Sequence, residues 1–289
     1  MTKELSISIN FKKYLKNNIK PNKKILISLS TGLDSTVLFN LIMRSKHFDV
    51  KNIYYLIFDH QKRPEGKYEI RQFIKYYDLS NKNLSINKIS IKDKSRGFQE
   101  KSRSIRYEFL NKFSRKRNIK DIFLGHHLDD LNETFFLRKI QQSGASGLSN
   151  IFLQKYKDLK LHRPLKNYSK KQIKNYANKK KLIWFEDISN LELDYTRNKI
   201  RDYISTKRLK YQINNERKLF SKIHNLHCLH KNFFVRKKNK IFEIHMDKLK
   251  NLNEYLQFFA IQSFYYEYRY LLKKQIRDDN VWNFVKILK

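Results

Sequence analysis

Two histidines and three carboxylates stand close together in the stretch GHHLDDLNETFFLRK, residues 125–139. The apolar run IFL comes directly before them, so the sequence predicts a strand that ends here and a helix that begins near His127. On that helix Asp130 and Glu133 share one face, and His126 or His127 lies at its N-terminal end. Carboxylates in this arrangement can hold Mg²⁺ or a substrate ammonium group, and an imidazole can contact phosphate. A zinc site and a solvated charged helix are the alternatives, and hard carboxylates beside an anion favour Mg²⁺ over zinc.

A second stretch, ILISLSTGLDST at residues 25–36, has the order of a strand, a turn and a helix start. A phosphate-binding turn needs inward backbone N–H groups, hydroxyl donors and a helix N-terminus whose dipole favours an anion. Gly32 permits the tight turn, and the pair Asp34–Ser35 is expected to cap the helix. The Walker spacing and its lysine are absent, so the stretch predicts a phosphate loop of another kind, with a capped turn that binds no ligand as the alternative. The hydroxyl donors are Ser28, Ser30, Thr31 and Ser35.

Two further stretches flank the acidic one. In GFQEKSRSIRYEFL, residues 97–110, Arg103 and Arg106 lie on a predicted helix and could clamp a phosphate or a carboxylate. A solvated basic face would show the same pattern. The loop QQSGASGLSNI, residues 141–151, is expected to let another backbone approach closely or to flex over a substrate.

Aromatic and basic residues are interleaved in LIWFEDISNLELDYTRNKIRDYI, residues 182–204. This composition suits single-stranded RNA, because unpaired bases stack on aromatic rings while phosphates meet cations. A helix that joins two domains is the alternative interpretation.

The elements that would position these residues alternate along the first 185 residues. The predicted strands are Lys24–Ser30, Ile53–Asp59, Ile86–Ile91 and Asp121–Gly125, and the predicted helices are Ser35–Ser45, Glu65–Tyr77, Gln99–Asn118 and Leu128–Gln141. Strands that alternate with helices of this length predict an α/β fold with a doubly wound parallel sheet, in which ligands bind beyond the C-terminal strand ends. We predict a larger domain over 1–190 and a smaller, mainly helical domain over 191–289, with a short strand pair within residues 237–249.

Composition narrows the class of protein. With 289 residues, 14% aromatic and 40% apolar, the chain can bury a core and is not disordered. The net charge of +36 indicates a polyanionic partner such as nucleic acid, and lysine drift in an AT-biased genome is the alternative source of that charge. No apolar run has the length of a membrane span and no signal peptide is evident, so we expect a cytoplasmic protein without membrane contact.

A single cysteine, Cys228, excludes an internal disulfide framework and a multi-cysteine zinc site. His224, His227 and His230 surround it at a spacing of three. We interpret them as one polar or packed helix face rather than as metal ligands.

Taken in order, these stretches together with FDHQKRPEG, HRPL and FEDISNLELDYTRNKIR resemble the tRNA(Ile)-lysidine synthetase family of PP-loop ATP pyrophosphatases. The resemblance spans residues 24–203, and it implies an ATP-binding catalytic domain over 1–190 and a tRNA-contacting domain over 191–289. It implies a ligase that uses ATP and Mg²⁺ to adenylate the C2 oxygen of the wobble cytidine in a tRNA(Ile) with a CAU anticodon. The amine of free L-lysine then displaces AMP, and the codon read changes from AUG to AUA. A homodimer is one arrangement that the sequence leaves open.

The resemblance also implies roles for individual residues. The positions that match ATP binding are Ser28, Leu29, Ser30, Thr31, Gly32, Leu33, Asp34, Ser35, Phe58, His60, Arg103 and His126. The catalytic positions are Asp34, Arg106, His127 and Asp130, with Mg²⁺ held through Asp34. Lysine would be bound by Asp130 and Glu133, and tRNA by Arg197, Asn198 and Arg201.

The chain departs from the family pattern at Thr31, where the superfamily usually has glycine. A threonine can stand there if its φ is negative. Two other functions would fit parts of the same pattern. A tRNA 2-thiolation enzyme of the same superfamily would be expected to use paired cysteines, which Cys228 alone does not supply. A basic tRNA-binding protein with an inactive loop would bind tRNA without consuming ATP.

Overall fold

The computed structural model describes residues 3–59, 64–79, 83–88, 98–141, 143, 147–148, 155–185, 195–206, 209–221, 235–238, 241–252, 254, 257–258, 260–262 and 278–287. His60 and the histidines around Cys228 lie outside these ranges. The backbone is described at Arg103, Arg197 and Asn198, but their side chains are not.

A six-stranded sheet organises the first part of the chain. Its strands are β1 Ile25–Leu29, β2 Ile53–Asp59, β3 Leu84–Lys88, β4 Asp121–Phe123, β5 Lys155–Tyr156 and β6 Leu159–His162. The spatial order is β3-β2-β1-β4-β6-β5, and every neighbouring pair is parallel except the terminal hairpin of β5 and β6. The predicted α/β fold with a mostly parallel sheet is therefore confirmed. Strands β5 and β6 were not predicted, because they are short and β6 carries a lysine and a histidine.

Helices follow the strands as the alternating pattern predicts. Their bounds are α1 Lys3–Asn18, α2 Leu33–Ser45, α3 Pro64–Tyr76, α4 Phe98–Arg115, α5 Leu128–Ile140, α6 Lys170–Lys179, α7 Tyr195–Thr206, α8 at residues 210–221, α9 Met246–Lys250 and α10 Asp278–Ile287. None of the helices in the described ranges is long and apolar enough to cross a membrane.

Alternate residues of β1 enter two separate cores. Ile25, Ile27 and Leu29 belong to a core that also contains residues of α1, α2 and α6, whereas Leu26 belongs to a second core with residues of α4. Side chains of a strand point to opposite faces in turn, so a strand buried on both faces reads as a continuous apolar run. This is why ILISL is apolar throughout apart from Ser28.

Helix α1, to which the sequence reading assigned no element, is joined to the sheet by a polar chain. The hydroxyl of Tyr14 lies 2.8 Å from Nδ1 of His162, and Nε2 of His162 lies 2.9 Å from Oδ1 of Asp121. Burial, together with a smaller effect of the charge of Asp121, raises the pKa of Tyr14 to about 12. The phenol therefore stays protonated across the neutral range.

The chain divides into two compact units. One consists of residues 1–131 with 153–198, and the other of 132–152 with 199–289. The second unit contains a hairpin of β7 Val235–Lys238 and β8 Ile241–Ile244, close to the predicted strand pair. Its described core is formed by Leu249, Phe258, Ala260, Ile261, Val281 and Val285. The predicted boundary near residue 190 stays a prediction.

Candidate active site

The turn after β1 is held by hydroxyl contacts within the loop. Oγ of Ser35 accepts from the backbone N–H of Ser30 at 3.1 Å, lies 3.2 Å from Oγ of Ser30, and donates to the carbonyl of Gly32 at 3.0 Å. Helix α2 begins at Leu33 with Gly32 as its N-cap, and no side chain caps it. The prediction that Asp34 and Ser35 cap the helix is therefore wrong, since both lie inside the first turn and Ser35 instead fastens the loop.

Thr31 adopts a left-handed conformation with φ of 58°. The condition of a negative φ is not met, and a β-branched residue pays a steric cost in this region. The neighbourhood holds it there: the N–H of Phe185 donates to the carbonyl of Thr31 at 3.1 Å, and Oγ1 of Thr31 donates to the carbonyl of Ser30 at 2.6 Å. The loop thus takes at Thr31 the backbone conformation that glycine would adopt freely.

An imidazole lies among three carboxylates beside this loop. Nε2 of His127 lies 3.7 Å from Oδ2 of Asp34 and 3.6 Å from Oδ2 of Asp130, and its Nδ1 lies 3.9 Å from Oδ2 of Asp129. Oδ2 of Asp130 also accepts from the backbone N–H of His127 at 2.9 Å, which secures the start of α5. His127 is 5% exposed. The predicted members Asp34, His127 and Asp130 are therefore brought together, and Asp129 joins them.

Lys170 completes this group and was not predicted. Its Nζ donates to Oδ2 of Asp34 at 2.7 Å, and its backbone N–H donates to Oδ2 of Asp129 at 2.6 Å. Ser169 and Gln172 form a capping box, so Lys170 is the first residue of α6. The N-terminal turns of α2, α5 and α6 thus meet around three carboxylates, and the helix dipoles offset part of this negative charge.

A buried arginine, also not predicted, supports His126. Arg163 is 5% exposed, and its Nε donates to Nδ1 of His126 at 3.3 Å while Nη2 donates to the hydroxyl of Tyr107 at 3.1 Å. The HRPL stretch that follows β6 could have pointed to it, because it stands at the C-terminal end of a parallel strand. Of the predicted arginine pair, Arg106 has its guanidinium 5.7 Å from the ring centroid of Phe58.

A comparison with known families shows the family to which the chain belongs. Residues 3–208 match the family described as PP-loop domain. The chain belongs to this family. Residues 30–35 are accordingly called the PP-loop below.

Many curated relatives of this PP-loop chain carry one name. Proteins named tRNA(Ile)-lysidine synthase from Persephonella marina and Buchnera aphidicola are 36% and 35% identical over 64% and 63% of the chain, and over 41% of their own length in each case. The protein of that name from Orientia tsutsugamushi is 29% identical over 73% of the chain and 48% of its own length. The chain thus spans less than half the length of these relatives.

A solved structure supports the PP-loop fold. The U34-tRNA thiolase NcsA from Methanococcus maripaludis, solved with its [4Fe-4S] cluster, matches 75% of the chain and 79% of its own chain. The TM-score is 0.60 and the sequence identity is 18%. At this identity the likeness shows the fold.

The second unit contains the remaining predicted residues for which side chains are described. Glu133, 4% exposed, accepts from Nε of Arg201 at 2.5 Å. The family resemblance implies different substrates for these two residues, lysine for Glu133 and tRNA for Arg201, whereas the structure pairs them. The hydroxyphenyl ring of Tyr203 stacks on Phe136, and α5 and α7 therefore contact each other in this unit.

The carboxylate of Asp34, in the PP-loop, has an oxygen that could bind a cation. Oδ1 of Asp34 is buried and accepts no hydrogen bond from any described residue. Within the described ranges no group of three or more His, Cys, Asp or Glu residues could hold a metal ion by itself. Mg²⁺ is usually bound through one or two carboxylates together with substrate phosphates and waters. Asp34 therefore fits a magnesium ion that arrives with a nucleotide.

Proposed function

We propose that this PP-loop protein uses ATP and Mg²⁺ to ligate free L-lysine to C2 of the wobble cytidine of a tRNA(Ile) with a CAU anticodon. The observation that carries the proposal is the group of His127, Asp34 and Asp130 at the N-terminal turns beside the PP-loop. The name shared by the relatives supports lysine and tRNA(Ile) as substrates. The product would read AUA instead of AUG.

Two displacements make up this reaction. The C2 oxygen of cytidine bonds to the α-phosphorus of ATP, and the bond from that phosphorus to the bridging oxygen breaks, which releases pyrophosphate. The neutral amine of lysine then bonds to C2, and AMP leaves with the oxygen. Adenylation is required because this oxygen is a poor leaving group until it is phosphorylated.

The carboxylates of α5 suit the second displacement, in which the amine of lysine attacks C2. An ammonium ion must be positioned by a carboxylate and must lose a proton before its nitrogen can attack. Asp130 is the candidate for this role, because it lies beside the imidazole of His127 and is part of α5. Glu133, three residues further along α5, is the second candidate for the ammonium group, and it would then exchange Arg201 for the substrate cation.

The phosphate end of ATP would lie on the PP-loop. The N-terminal turn of α2 offers backbone N–H groups, and the hydroxyl of Ser30 would be an additional donor once it turns from Oγ of Ser35 to the phosphate. Bound Mg²⁺ would neutralise phosphate charge, and Asp34 would hold it through the oxygen Oδ1. Arg106 and His126 would face the nucleotide from the neighbouring elements.

Recognition of tRNA would use the basic surface. The net charge of +36 favours a polyanion, and Arg197, Asn198 and Arg201 on α7 are the proposed contacts. We further propose a cytoplasmic location, where tRNA, ATP and free lysine are all present.

The decisive experiment measures pyrophosphate release from ATP. We expect release that requires both lysine and tRNA(Ile) with the CAU anticodon, and much less release with the methionine tRNA of the same anticodon. Asp34→Ala and Asp130→Ala should abolish it. The exposed Asp49, which pairs with Lys51 on the surface, provides a matched control, and Asp49→Ala should retain activity.

Each rival function has its own outcome in this assay. Tight tRNA binding without pyrophosphate release would refute the ligase proposal and favour an inactive tRNA-binding protein. Release that needs tRNA and a sulfur donor but no lysine would favour a 2-thiolation enzyme.

A further inference from the structure

Lys170 is in direct contact with Asp34, the carboxylate that fits magnesium. Its ammonium group donates to Oδ2 of Asp34, while Oδ1 of the same carboxylate is buried and accepts no hydrogen bond from a described residue. The lysine side chain is 49% exposed and that of Asp34 is 27% exposed. A half-exposed ion pair of this kind is weakly held, because water screens both charges.

The backbone of Lys170 is held by hydrogen bonds, whereas its ammonium group is held by the ion pair with Asp34. Its N–H donates to Asp129, and the capping box of Ser169 and Gln172 sets the start of α6. A flexible four-carbon side chain on a fixed backbone can move its charge by several ångströms without any change in the fold. The ammonium group can therefore reach more than one anion around the PP-loop.

Binding of a metal–nucleotide would weaken the ion pair between Lys170 and Asp34. A divalent cation on Asp34 repels an ammonium group on the same carboxylate, whereas the polyphosphate that accompanies the cation offers new anionic oxygens nearby. The helix dipoles of α2, α5 and α6 offset part of the negative charge of the carboxylates at this place. An ammonium group accelerates a reaction most when it lies beside an atom whose negative charge increases in the transition state.

We propose that Lys170 binds the pyrophosphate end of ATP, moving from Asp34 to a β- or γ-phosphate oxygen when the metal–nucleotide binds, and that it stabilises the pyrophosphate leaving group. This inference rests on the proposed function. As the bond from the α-phosphorus to the bridging oxygen breaks, the electron pair goes to that oxygen, and the negative charge of the departing pyrophosphate grows. Lys170 contributes its positive charge and keeps its proton throughout. A lysine that only neutralises Asp34 in the empty protein would have no such effect.

The test compares four proteins: the wild type, Lys170→Met, Lys170→Arg and, as matched control, Lys171→Met. Lys171 is the next residue on the same helix and is exposed. Calorimetry with inorganic pyrophosphate and Mg²⁺ measures affinity for the leaving group directly. Pyrophosphate release at varied ATP and at varied lysine separates the two substrates.

We expect Lys170→Met to weaken the binding of magnesium pyrophosphate on the order of 10- to 100-fold, the loss typical of one charged hydrogen bond. The KM for ATP should rise and kcat should fall, while the KM for lysine should be unchanged. Lys170→Arg should keep most of the affinity because it keeps the charge, and Lys171→Met should match the wild type. Circular dichroism establishes that each variant is folded, and Lys170→Gln replaces Lys170→Met if the latter is not.

Wild-type affinity for magnesium pyrophosphate in Lys170→Met would overturn the role of Lys170, even if the enzyme proves to be a lysine ligase. Pyrophosphate release that does not depend on lysine would instead overturn the proposed function. In that case a loss of pyrophosphate affinity in Lys170→Met would still support the phosphate contact.

Discussion

Replacing Thr31 by glycine sets two opposite contributions to stability against each other. The left-handed conformation, with φ of 58°, costs a residue with a Cβ atom about 1–2 kcal/mol that glycine does not pay. Glycine in turn loses about 0.4–1 kcal/mol through the greater freedom of its unfolded chain. It also loses the hydrogen bond from Oγ1 of Thr31 to the carbonyl of Ser30, about 0.5–1.5 kcal/mol, and a buried methyl group, about 0.8 kcal/mol. At their central values these losses exceed the gain, so Thr31→Gly should have a free energy of unfolding lower than that of the wild type by about 1 kcal/mol.

Thr31→Ala isolates the conformational contribution. Alanine loses the same hydrogen bond and methyl group but keeps the Cβ atom, so it should be less stable than Thr31→Gly by about 0.5–1 kcal/mol. A difference of this size corresponds to roughly 1–4 °C in the thermal midpoint of a domain of 150–250 residues. The comparison is clean because the contact from the N–H of Phe185 goes to the carbonyl of Thr31, which all three proteins retain.

The assay is thermal and urea unfolding of the three proteins, followed by circular dichroism. The affinity for ATP should be the same in Thr31→Gly as in the wild type, because the backbone already has the conformation that glycine would adopt. An alanine variant as stable as the glycine variant, or more stable, would refute the reasoning that Thr31 is strained.

Three further predictions follow from single contacts. Gly125→Ala places a methyl group 3.2 Å from the backbone carbonyl carbon of Asp34, so it should destabilise the fold by about 1–3 kcal/mol and lower pyrophosphate release. A free energy of unfolding in urea equal to that of the wild type would contradict this. Arg163→Gln should lower kcat on the order of tenfold because the imidazole of His126 loses its donor, and Arg163→Lys should restore only part of it; wild-type kinetics in both variants would remove Arg163 from the site. The pKa of Tyr14 is raised by burial to about 12, so the protonated phenol stabilises the fold fully below a pH of about 10, and this effect is lost as the pH rises towards 12. The free energy of unfolding in urea should therefore fall less steeply with pH in Tyr14→Phe than in the wild type. An equally steep fall in both proteins would contradict the burial of the phenol.

Much of the fold follows from short stretches. The alternation of apolar runs with helical patterns predicted β1 to β4 and α2 to α5, because strand and helix periods are set by residues close in sequence. The parallel arrangement followed from that alternation, since a strand–helix–strand unit returns the chain in the same direction. The short strands β5 and β6 carried no comparable pattern. The same local patterns misplaced the start of α2 by taking Asp34 and Ser35 as caps.

The candidate site was predicted as separate stretches, and its assembly depends on the tertiary fold. The sequence by itself determined that hydroxyls follow β1 and that imidazoles and carboxylates follow β4, because each set stands next to an apolar run. Only the tertiary structure decided that Lys170 meets Asp34 and that Arg163 meets His126, since these contacts join residues far apart in the chain. A contact that accompanies the positive φ at Thr31 likewise comes from far along the chain, since the N–H of Phe185 donates to the carbonyl of Thr31.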